Sequence, residues 1–119
     1  MIKINDTTYN AKVFGWMMDS DWDNRESKKI HILDKMDYAT AAAIFKDGLA
    51  WSIVDIFPAT ETTEEKTYEF DNSDFSILGD IIVHTDGTVS VKMGKATQAE
   101  LNMDALEDVL EKTLGGESA

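Results

Sequence analysis

The chain has 119 residues, 43% of them hydrophobic and 29% charged, no cysteine, and 23 acidic against 11 basic side chains for a net charge of −12. This length suits one domain with its own core, and the lack of thiols excludes a disulfide scaffold, a thiolate zinc centre and a cysteine nucleophile. The charge repels a nucleic-acid backbone and disfavours an anionic membrane; it either serves solubility alone or steers a partner with a basic surface.

Taken in chain order, Ile2 and Ile4, the polar run Asn5-Asp6-Thr7-Thr8, and Tyr9, Ala11 and Val13 predict a β-hairpin with a polar turn. The N-terminal residues lack the basic and long apolar regions of a signal peptide, and no apolar run approaches the roughly 18 residues that cross a bilayer. The expected location is therefore the cytoplasm, or a particle assembled there. Met17 to Glu26 reads as a polar loop holding one large aromatic, Trp22, and Lys29 to Ile32 as a short strand.

Asp37 is placed to cap a helix over Tyr38 to Phe45, where four alanines favour helix and Ala41-Ala42-Ala43 permit close approach to a sheet. Gly48 is expected to end it. Trp51 to Phe57 predicts the strongest strand, stopped by Pro58, followed by an exposed glutamate-rich loop over Thr60 to Lys66 and an alternating strand, Thr67 to Phe70. Ile81 to His84 and Thr88 to Met93 flank Asp86-Gly87, a hairpin signal. The C-terminal segment predicts a helix with two capping-box spacings, Thr97 with Glu100 and Asp104 with Glu107. The expected fold is α+β: an antiparallel or mixed sheet built from hairpins, with two helices packed on it. It comprises one domain over 1–114 and a flexible tail over 115–119.

Motifs for catalysis are missing from this reading. Asp19-x-Asp21-x-Asp23 with Glu26 invites a hard cation, but Asn24 and Ile30 stand where a calcium loop needs glycine and a closing glutamate. His31 and His84 lie on separate strand candidates with no spacing that joins them. No nucleophile elbow, phosphate loop, dinucleotide fingerprint or zinc spacing occurs. No catalytic residue, metal or cofactor is expected.

Binding residues are more legible. Trp22 either covers the domain's own core or anchors a partner, since aromatics in loops are favoured at interfaces. Asp19, Asp21 and Asp23 surround it, and Glu61, Glu64, Glu65 and Glu69 form a second acidic group. These eight residues are the candidates for contact with a protein partner carrying a basic surface; self-association is also compatible.

The runs Trp22 to Lys28, Phe45 to Trp51, Asp71 to Phe75 and Asp86 to Lys95 resemble a group of small acidic proteins encoded by phages and prophages of Gram-positive bacteria. The resemblance implies a host-cell or virion setting and supplies no catalytic residues. Two functions follow as expectations. The first is a non-enzymatic binding protein that modulates or inhibits a host factor, such as a defence nuclease. The alternative is a virion or tail-assembly component, and a metal-dependent enzyme ranks third.

Overall fold

The computed structural model describes residues 1–103. The capping box expected at Asp104 with Glu107, the helix beyond it and the tail over 115–119 lie outside these residues.

Strand β1 (Ile2–Ile4) turns into β2 (Thr7–Tyr9) through Asn5 and Asp6, both left-handed at φ 48° and 66°. Two left-handed residues twist a hairpin turn to match its strands, and Asn and Asp tolerate that conformation best after glycine. The turn is therefore two residues long, and Thr7 and Thr8 pair with Ile4 and Lys3 instead of belonging to it. Strand β3 (Ala11–Asp19) and β4 (Arg25–Ile32) form the next hairpin. The loop expected from Met17 is shorter than its polar sequence suggested. A bulge between Trp16 and Asp19, with Met18 at φ 56°, carries the strand three residues further, to Asp19.

Helix α1 (Tyr38–Ile44) is capped as expected: Asp37 accepts a hydrogen bond from the Thr40 backbone N–H at 2.7 Å. The Thr40 hydrogen bonds hold the Asp37 carboxyl below its ordinary pKa. The helix ends at Phe45, before Gly48, which serves the next turn at φ 83° and donates its N–H to the Ser76 carbonyl at 2.8 Å. Of the three consecutive alanines only Ala41 is buried. Strands β5 (Ser52–Phe57) and β6 (Lys66–Asp71) form one hairpin, and β7 (Ile77–Val83) and β8 (Val89–Gly94) another. At the latter turn Gly87 has φ 87°, and Asp86 accepts from both the N–H and hydroxyl of Thr88.

The strands form two four-stranded antiparallel sheets, in the orders β2-β1-β5-β6 and β3-β4-β8-β7. The α+β class is the expected one, with the strands divided between two sheets. A single apolar cluster joins them: Ile2 and Ile4 from the first sheet, Ile30, Ile32, Val89, Val91 and Met93 from the second, Ala41 from α1 and Phe45 at its C-cap. A second helix begins at residue 98 behind the expected capping box. Glu100 donates its N–H to the Thr97 hydroxyl at 3.2 Å, and Thr97 donates its N–H to the Glu100 carboxylate at 2.9 Å.

Candidate functional site

Along β4, Ile30 and Ile32 point into the core, so Arg25, Ser27, Lys29 and His31 lie on the opposite, outer face of the second sheet. Trp22 folds onto one end of that face. Its ring lies over Gly79 and Gly94, where the absence of side chains leaves room for it. The Arg25 guanidinium stacks on the ring at 4.6 Å, and the Lys92 ammonium lies 5.9 Å from it. Trp22 is thus half-buried, with intramolecular packing on glycine and a cation.

Arg25 is 4% exposed and reaches from Trp22 to the second helix. Its two terminal nitrogens donate to the two Glu100 carboxylate oxygens at 2.9 Å each, a bidentate fork, and one also donates to the Lys95 carbonyl at 3.3 Å. This pairing, with the Thr97 N–H, lowers the Glu100 pKa from 4.5 to about 2. A carboxyl whose folded-state pKa is depressed adds stability above its unfolded value, and that stability is lost as pH falls through the folded value. Thermal melts should therefore show wild type falling more steeply than Glu100→Gln between pH 4.5 and about 2. At neutral pH wild type should be the more stable; parallel curves would remove the pair from the stability of this helix start.

The other candidate acids divide by location. Asp19 accepts from Lys92 at 2.8 Å and from the Ser27 hydroxyl at 3.1 Å, and the Lys92 hydrogen bond holds its carboxyl below the ordinary value. Its charge is largely committed inside the protein. Asp21 and Asp23 are exposed at the β3–β4 turn, Asp23 lying 3.8 Å from Arg25. Glu61, Glu64 and Glu65 are exposed in the β5–β6 connection, and Glu69 on β6 lies 3.8 Å from Lys3. The two acidic groups thus lie on two hairpins, one from each sheet: Asp21, Asp23, Glu61, Glu64 and Glu65 in the connections, Asp19 and Glu69 on strands. Among the described residues no three His, Cys, Asp or Glu side chains converge as metal ligands.

The β5–β6 hairpin extends past its sheet. β1 pairs with β5 only at Ser52 and Ile53, while β5 and β6 stay paired to Phe57 and Lys66. Beyond β1 the hairpin is a two-stranded arm, and every β6 residue is exposed. The register puts Phe57, Tyr68 and Phe70 on one face, with the Phe57 and Tyr68 rings edge to face at 5.5 Å. These three aromatics are 46–56% exposed. Alternation made Thr67 to Phe70 a strand in the sequence, but alternation alone cannot say that neither face is covered.

The outer face of the second sheet also brings together His31 and His84, which spacing alone did not connect. Antiparallel pairing sets His31 opposite Ser90, and the His84 ring, just past β7, turns back to the same hydroxyl. His31 Nδ1 lies 2.9 Å and His84 Nε2 2.7 Å from Ser90 Oγ, with ring centroids 5.2 Å apart. The cluster lines a hollow of about 580 Å³ together with Phe14, Trp16 and Lys29. An adjoining hollow of about 450 Å³ shares Trp16, Lys29 and Ser90 and is otherwise lined by Met17, Met18, Ile82 and the β3–β4 turn, among others.

Comparison with protein-family models, curated proteins and solved structures gives no match. Among the described residues no helix is long and apolar enough to cross a membrane.

Proposed function

We propose that the chain is a non-catalytic binding protein that modulates a host factor in a phage setting, and that the β5–β6 arm is the part that meets it. The observation that carries this reading is the arm's exposed aromatic face beside an acidic turn. A two-stranded hairpin gains little from its own pairing in water, and exposed rings on it are stabilised when a partner covers them. Phe57, Tyr68 and Phe70 supply rigid contact area, and Glu61, Glu64 and Glu65 supply charge that steers a basic surface toward it.

The test is binding of the purified host protein recovered with this chain, followed by surface kinetics at low and high salt. The Phe57→Ser, Tyr68→Ser double variant should dissociate about tenfold faster or more. Neutralising Glu61, Glu64 and Glu65 to glutamine should slow association at low salt, with little change in dissociation. All five residues are exposed, so the unfolding midpoint should move little. Unaltered kinetics in both variants would remove the arm as the contact surface.

The second reading, a particle component, is favoured by the open edge of β6, which can pair with a neighbouring copy. It predicts concentration-dependent self-association in sedimentation, lost in the same double variant and insensitive to salt.

A further inference from the structure

We infer that the outer face of the second sheet is a binding site for a phosphomonoester carried on a planar ring, with Lys29 and the His31–Ser90–His84 cluster taking the phosphate and Trp16 or Phe14 taking the ring. The site is separate from the β5–β6 arm and does not depend on the function proposed for it.

Charge is the first argument. The chain has 23 acidic side chains, yet the 580 Å³ hollow has none among its lining residues. Its charged group is Lys29, which has no ion-pair partner among the described residues. Lys12 stands directly opposite His31 in the register and adds a second positive charge at the strand edge. The remaining charged groups around the cluster are Lys92 on β8, paired with Asp19, the Asp21 and Asp80 carboxylates of the adjoining hollow, and Asp86, which accepts from Thr88 and keeps its negative charge near both imidazoles. The positive charge is local to the hollow, where Lys29 faces no lining carboxylate, and an oxyanion is drawn to that ammonium.

The hydrogen-bonding pattern narrows the ligand. Ser90 is 1% exposed and its hydroxyl has one proton, so when both rings are uncharged it donates to one and accepts from the other. The tautomers are thereby set in opposition. One ring has an N–H as its other nitrogen and the second ring a bare nitrogen, and neither outer nitrogen has a partner among the described residues. A phosphate ester is largely a dianion at neutral pH, so it accepts from the imidazole N–H and from the Lys29 ammonium, and its minor monoprotonated form has an O–H for the bare nitrogen as well. A carboxylate offers no donor.

The walls explain the ring. Phe14 is 50% and Trp16 43% exposed beside the cluster, and a hollow of 580 Å³ lies within the range of sites for small organic ligands. Aromatic faces stack planar rings at a gain that tolerates variation in the ring.

The test uses the full chain and its imidazoles. As the chain has only two histidines, every side-chain imidazole resonance in a ¹⁵N–¹H spectrum reports on this site. Titration with phenyl phosphate should shift both imidazoles saturably, about tenfold more tightly than inorganic phosphate, and benzoate should bind more weakly still. Lys29→Met, which keeps the aliphatic stem, should weaken phenyl phosphate about tenfold without lowering the melting temperature. Adenosine monophosphate and phosphotyrosine then distinguish a nucleotide from a modified side chain as the source; tighter binding of either supports the site. Unmoved imidazoles, or equal affinity in Lys29→Met, would overturn it, and equal affinity for phosphate and phenyl phosphate would remove the ring from it.

Discussion

Trp51→Ala should lower the free energy of unfolding by about 3–5 kcal/mol, the largest effect expected of any single substitution in the chain. Trp51 is 2% exposed and is the largest of the fully buried side chains. Its indole N–H donates to the Phe75 carbonyl at 2.9 Å, and its own carbonyl accepts from the Asn72 N–H at 2.8 Å. Alanine leaves a cavity and an unpaired carbonyl, and β5, from which the arm projects, starts at the next residue. Trp51→Phe retains most of the packing and loses the hydrogen bond, so its cost should be clearly smaller. Urea unfolding followed by far-UV circular dichroism measures both. A loss below about 1 kcal/mol for the alanine variant would mean that the site collapses around the smaller side chain.

Gly94→Ala should cost about 1–3 kcal/mol, because one added methyl enters space already filled. A Cβ there would stand 2.6 Å from the Trp22 ring and 2.7 Å from Arg25 Cδ. The indole is rigid, and the Arg25 side chain is held by the Glu100 fork, so neither yields easily. Gly94 has no positive φ, so alanine meets no backbone strain and the whole cost belongs to the displaced ring and guanidinium. Gly15→Ala is the matched control: the same change in a strand, with nothing within 4 Å of the added atom. It should be neutral or slightly stabilising. Trp22→Ala should relieve the clash, so the Gly94→Ala, Trp22→Ala pair should cost less than the sum of the two. Additive losses would mean that Trp22 does not rest on this glycine.

These two glycines illustrate how far the chain could be read unaided. Turn chemistry was legible because it is local: Asp86-Gly87 and the Asp37 cap each depend on residues a few positions apart. The Thr97–Glu100 capping box was legible for the same reason. Polar composition misled at Met17 to Asp19, where a bulge extends β3 without the alternation that normally marks a strand. Trp22 was open to two readings, and the residues that give it a seat, Gly79 and Gly94, lie more than fifty positions downstream.

Neighbouring residues suffice to specify the elements and their chemistry: hairpins, a capped helix, an acidic surface without thiols, and alternation that assigns each strand two unlike faces. Those follow from backbone preferences and side-chain periods acting over a few residues. Which faces meet and which stay open depends on how the strands are ordered and packed. Strand register brought His31 opposite Ser90, turned His84 onto the same hydroxyl, and set Lys29 beside Phe14. The short reach of β1 along β5 left the Phe57–Tyr68–Phe70 face uncovered. Register and strand order are decided by apolar burial summed over the whole core, from Ile2 to Met93, and a sum over contacts so distant in the chain leaves no local mark.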